Sequence, residues 1–151
     1  STGSLSGFGA VQGNVLAAGT LTPGGSIGPF SVLGDCDLDG TLVVDLDGTS
    51  GEADLLGVSG ALRLGDGSVL DLQIASALDP AAVYPIATYG SLGGAGEFGT
   101  VLNLPTTHEL DYVTDNSIRL VPFTAAEIPE PASALLVLAG ATLVVRRRRR
   151  A

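Results

Sequence analysis

Residues 32–42 read VLGDCDLDGTL, and residues 58–69 read VSGALRLGDGSV. The two align as V-x-G-x-(C/L)-x-L followed by Asp-Gly-(Thr/Ser)-(Leu/Val), with one residue inserted in the second, at a spacing of 26 to 27 residues. Gly19-Thr20-Leu21 and Gly40-Thr41-Leu42 add a shorter echo. Self-similarity with a period of about 20 to 50 residues points to a solenoid. The second reading is that Gly and Asp turns lend any β-protein a repetitive look. Apolar and polar residues alternate along both stretches and beyond. Leu42, Val44 and Leu46 share one face, with Thr41, Asp45 and Asp47 on the other. Leu56, Val58, Leu62 and Leu64 keep that phase across Gly60, and Leu70, Leu72 and Ile74 lie opposite Asp71 and Gln73. Period-2 alternation is the pattern of strands with one face turned inward. The alignment sets Cys36 opposite Leu62, which makes it a small buried hydrophobe rather than a reactive thiol.

Composition supports an all-β class. The 151 residues can build one domain with a core, and they include 22 Gly, 8 Pro, no Met and no Trp. Glycine at this density punctuates short strands with tight turns. The apolar share of 45% is too high for a disordered chain. Cys36 is the single cysteine, which excludes an internal disulfide and any multi-cysteine metal site.

The net charge of −9 conceals a sharp asymmetry, because five of the seven basic residues are the run Arg146, Arg147, Arg148, Arg149 and Arg150. Upstream, Arg63 and Arg119 stand against sixteen acidic residues, a balance of −14. Such a surface repels nucleic acid and collects cations, so no nucleic-acid partner is expected.

The C-terminal stretch has three parts: Pro129-Glu130-Pro131, the uncharged run ASALLVLAGATLVV at residues 132–145, and the five arginines before Ala151. Fourteen residues make roughly 21 Å of helix against a hydrocarbon core of about 30 Å. A helix of that length would ordinarily be read as buried in a core, but five terminal charges cannot easily be buried with it. In a membrane the arginines can snorkel and extend the span, and the positive-inside bias puts them in the cytoplasm. One short transmembrane helix is therefore expected here. The three-part order resembles the PEP-CTERM sorting signal of Gram-negative and related bacteria. That resemblance implies an exosortase-type sorting enzyme as partner, cleavage near Pro129, Glu130 and Pro131, and a transient inner-membrane anchor. The cell surface or extracellular matrix is the implied destination, with biofilm and exopolysaccharide as the implied setting. A chain sorted in this way needs an export signal at its start, and none follows Ser1. The sequence is thus expected to be the tail of a longer precursor or a trimmed chain.

The body carries a second resemblance. The stretch at residues 21–35, LTPGGSIGPFSVLGD, with DGTLVVDLDG, DLLGVSG and DGSVLDL after it, resembles the β-strand repeats of autotransporter passenger domains. This implies a right-handed parallel β-helix. Residues 84–105 and 110–121 look like its closing segment, where Tyr84, Tyr89, Phe98 and Tyr112 gather with Phe123 just after. Large side chains there would cover an open end that invites edge association. No translocator barrel accompanies the repeats. The expected organisation is residues 1–121 as β-helix and cap, 122–128 as a linker, and 129–151 as the sorting and anchor signal.

Few residues are candidates for chemistry. Asp35, Asp37 and Asp39 precede Gly40 as carboxylates do at the start of many calcium loops. The twelfth position of such a loop is Leu46, not an acidic ligand. Placed on a strand, the three carboxylates point outward together. Stacked against Asp45, Asp47 or Asp66 they would form a weak calcium site; otherwise they are a solvated acidic face. His108, the single histidine, lies in PTTHE and reads as a surface-loop residue, and no Gly-x-Ser-x-Gly elbow occurs. A polysaccharide lyase would have only Arg63 as base within the repeats, and a hydrolase needs two carboxylates about 5 to 9.5 Å apart. The expected role is structural or adhesive, not enzymatic. A calcium- or glycan-binding module is the alternative, and a polysaccharide-active enzyme the third reading.

Overall fold

The computed structural model describes residues 3–123. The first strands are β1 (Ser4–Gly7), β2 (Gly9–Gln12) and β3 (Val15–Ala17), followed by β4 (Thr20–Pro23), β5 (Pro29–Leu33) and β6 (Cys36–Leu38). Next come β7 (Thr41–Asp47), the short β8 (Glu52–Ala53), β9 (Leu55–Val58) and β10 (Ala61–Leu64). The last described group is β11 (Val69–Ser76), β12 (Tyr84–Thr88), β13 (Ser91–Gly94), β14 (Thr100–Leu102), β15 (His108–Asp111) and β16 (Ser117–Pro122).

These strands form three sheets. The first runs β1-β4-β7-β11-β14 with β8 attached to β7, the second β13-β10-β6-β3, and the third β15-β16-β12-β9-β5-β2. Most pairs are parallel, and parallel sheets need their inner faces covered. Register does this by setting like on like. Leu21 lies beside Leu42 and Leu42 beside Leu70. Cys36 lies between Val15 and Leu62, and Phe30 beside Leu56. Leu21, Cys36, Leu42, Leu56, Leu62 and Leu70 are all fully buried. The small Gly40 at the turn into β7 is required by close approach, since a Cβ there would overlap the Gly19 carbonyl.

Three pairs are antiparallel. After Asp47 the chain turns through residues 48–51 and lays β8 back on β7. β16 lies antiparallel to both β12 and β15, with a register shift between Pro85 and Ala87. Proline lacks the N–H that a ladder uses, which accounts for irregular pairing at Pro85. Around this pair Tyr84, Tyr89 and Phe98 are buried, whereas Phe123 is exposed. The Tyr89 hydroxyl donates to the Tyr112 carbonyl.

This architecture corrects the expected fold. The expectation was a single right-handed parallel β-helix with a cap, followed by a transmembrane helix. The described residues instead form an all-β body of three mostly parallel sheets, in which β8, β15 and β16 break the parallel pattern. Among them no helix is long and apolar enough to cross a membrane; the run at residues 132–145 lies outside the described residues. The repeat alignment also needs adjusting, because Thr41 pairs with Val69 rather than with Ser68. The second stretch therefore carries two extra residues, taken up in the turn where the Ser68 amide bonds the Gly65 carbonyl.

The core predicts a steep contrast between inward and outward leucines. Leu42→Ala should lower the free energy of unfolding by about 2–5 kcal/mol. Leu16→Ala, at a side chain 76% exposed, should change it by no more than about 0.5 kcal/mol. Equilibrium denaturation of the two variants measures the difference.

Candidate functional site

The structure places Asp35, Asp37 and Asp39 along and beside β6, and it gives two of them a cationic neighbour. β6 and β10 are in register with Asp37 beside Arg63. Arg63 Nη1 donates to Asp37 Oδ1 at 2.9 Å, and Nη2 to Asp35 Oδ2 at 3.3 Å. Asp35 also has a structural duty. Its Oδ1 accepts the Ala61 amide, and its own amide donates to Asn14 Oδ1, both at 2.9 Å. The Ala61 amide and the Arg63 guanidinium hold the Asp35 carboxyl below its ordinary range. Asp39 is exposed at the turn, packed against Gly65. Asp35 and Asp37 thus share one guanidinium, while Asp39 takes no part in that ion pair. Asp47 is engaged elsewhere, accepting from the Ser76 hydroxyl at 2.5 Å and the Thr49 amide at 2.8 Å. Among the described residues no group of three His, Cys, Asp or Glu side chains is arranged to hold a metal ion.

His108 is not a surface-loop residue. It opens β15, fully buried, with Nε2 2.9 Å from the Ala82 carbonyl and Nδ1 2.9 Å from the Thr107 hydroxyl. A carbonyl can only accept, so Nε2 donates to Ala82. The ring meets Tyr84 edge-on at 5.7 Å. Its partners are those of a packed core histidine. Pro129, Glu130, Pro131 and the five arginines lie outside the described residues.

Sequence reasoning passed over Asp54. It is fully buried between β8 and β9. Oδ1 accepts the Gly28 amide at 2.9 Å and Oδ2 the Asp45 amide at 3.0 Å. Its backbone amide returns a bond to the Asp45 carbonyl at 2.8 Å, and the Leu55 amide bonds the Gly28 carbonyl at 3.2 Å. One residue therefore fastens the loop after β4 to β7. Gly24 in that loop has φ +74°, a conformation that favours glycine, and a side chain there would press on Asp54. Between the fastened parts runs a groove of about 450 Å³ lined by Ser26, Ile27, Asp45, Leu46, Gln73 and Ile74. The only sequence signal for the clamp is an Asp directly before the apolar pair Leu55-Leu56.

Compared with protein-family models and with curated proteins, the chain matches none.

Two predictions follow from these environments. Burial, and then the Asp37 charge, push the Cys36 thiol up to about 11, so it is protonated at neutral pH and inert. Cys36 should react with a maleimide only as fast as the protein opens, and at full rate in denaturant; rapid labelling of the folded chain would contradict this.

The carboxylates predict a stability maximum on the acid side of neutrality. Burial raises the Asp54 pKa above its unfolded value, so its contribution is present at low pH and lost as pH rises through the folded value. Asp35, Asp47 and Asp111 are lowered. Their contributions are present above the unfolded value of about 4 and lost as pH falls through the folded ones. For Asp111 the Arg119 guanidinium, 2.8 Å away, is the main cause. Melting temperature should be highest between the unfolded value of about 4 and the raised Asp54 value and fall as pH drops below about 4, and Asp111→Asn should shrink that acid limb.

Proposed function

We propose that this chain is an exported protein of the cell surface or extracellular matrix, structural or adhesive in role, sorted and cleaved by an exosortase. The observation that carries this reading is the ordered C-terminal signal: Pro129-Glu130-Pro131, the uncharged run 132–145, then Arg146, Arg147, Arg148, Arg149 and Arg150. In this reading the signal holds the precursor at the inner membrane, arginines inward, until cleavage frees the body. Glu130 and its flanking prolines are acted upon; they are not catalytic groups.

The described body supports a presenting role. Its apolar side chains form one cluster of buried residues shared by all three sheets. The few ion pairs hold turns and strand neighbours together, as Arg63 does with Asp35 and Asp37, and Arg119 with Asp111. A binding role is the second reading, and the groove clamped by Asp54 is the observation that favours it.

The reading is tested by expressing the full chain behind an export signal in bacteria with and without an exosortase. With the enzyme, the body should be found shortened and outside the inner membrane. Glu130→Ala should leave full-length precursor in the inner-membrane fraction, as should loss of the enzyme. Identical processing of wild type and Glu130→Ala would refute the proposal.

A further inference from the structure

The groove beside β7 is held open by side-chain bonds rather than filled. One wall is the loop at Ser26 and Ile27; the other is Asp45 on β7 with Gln73 and Ile74 on β11. Asp45 and Gln73 are direct neighbours across the two strands. Asp54 bonds the backbone on both sides, at Gly28 and at Asp45, so the walls are fixed before anything enters. A preformed site loses little ordering entropy on binding. The volume of about 450 Å³ falls within the range of about 300–1,000 Å³ of small-molecule sites.

The lining selects a chemistry. The Asp45 carboxylate accepts no hydrogen bond from the described residues, and Gln73 spends only its Nε2, on Asp71 at 2.9 Å. The Asp45 carboxylate, the Gln73 amide oxygen and the Ser26 hydroxyl are acceptors for ligand O–H groups, while Ile27 and Ile74 are half-buried and apolar. Hydroxyl acceptors beside an apolar surface complement a sugar ring, which carries O–H groups at its rim and C–H groups on its faces. The Asp45 charge and the −14 balance upstream of the arginine run disfavour an acidic sugar. A single carboxylate in the lining does not make a metal site. A second depression of about 410 Å³, with Gly28, Glu52, Leu55 and Pro85 in its walls, shares Ile27 with the first. Ile27 borders both depressions, which places them side by side, and a chain of sugars running over Ile27 would make one track of them.

We propose that this track binds a neutral polysaccharide, with Asp45 and Gln73 accepting its hydroxyl groups and Ile27 and Ile74 supporting the ring faces. Asp54 is the positioning residue. The inference supplies a polymer for the surface role proposed above, and rests on that reading only for where the polymer is met.

Calorimetric titration of the full chain with cellotetraose, maltotetraose, mannotetraose and an acidic tetramannuronate tests the proposal. At least one neutral tetrasaccharide should bind saturably in the millimolar range or tighter, and the acidic one should not. Asp45→Ala should weaken that binding about tenfold or more with an unchanged melting temperature, and Asp115→Ala, at a distant turn, should leave it intact. Failure of all three neutral sugars, equal binding of tetramannuronate, or an affinity unmoved by combined Asp45→Ala and Gln73→Ala would overturn it. Cleavage at the C-terminal signal is a separate readout: the Asp45→Ala precursor should be processed as wild type, so the two proposals fail independently.

Discussion

In-register stacking of inward apolar side chains is the constraint on which the rest of this molecule depends. Leu42 is buried because Leu21 and Leu70 lie on either side of it at the interstrand spacing of about 4.8 Å. Slipping one strand by a single residue would turn its leucines outward and its Thr and Asp residues inward. That penalty falls on every pair in the sheet, so each strand fixes the next. The backbone ladder alone would tolerate the slip.

Polar groups are placed where the apolar ladder stops. Asn14 and Asp35 carry amides across adjacent turns, Asp54 ties a loop to β7, and Asp111 gathers Arg119 with the amides of Val113 and Thr114. The Asn14, Asp35 and Asp54 bonds lie at corners, where the chain leaves one sheet for another and strand pairing cannot satisfy its amides, whereas Asp111 closes the turn between β15 and β16 of a single sheet. The acidic surplus of the sequence is thus used partly as architecture. Asp45 differs, because its backbone is held while its carboxylate accepts nothing from the described residues.

Much of the strand pattern was legible because alternation is local. The inward set Leu42, Val44, Leu46, Leu70 and Leu72 can be read from period two alone, and Cys36 beside Leu62 from the repeat alignment. The sheet assignment and the antiparallel pairing of β16 with β12 were not legible, since whether β16 runs with or against β12 is decided by residues 29 to 36 positions apart. His108 was misread for a related reason: its burial comes from Tyr84 and the Ala82 carbonyl, which a window around PTTHE does not contain. Asp54 likewise makes sense only beside Gly28, twenty-six residues earlier. The pairing of Asp37 with Arg63 follows from the repeat register, but a reading that looks for metal ligands passes over the guanidinium opposite.

Leu21, Leu42, Leu70 and Val101 are neighbours in one sheet although 21, 28 and 31 residues separate them along the chain. The extra residues leave as the turn and β8 after Asp47, and as the loop before Tyr84. Closing a longer loop is cheap, about 0.6 kcal/mol for each doubling of length. Stacking reads the face of each strand and is blind to the length of what connects them. Such a body can gain or lose surface ornament at residues 48–51 while its interior is inherited unchanged. The groove beside β7, whose clamp Asp54 directly follows one such excursion, is the sort of feature that this freedom produces.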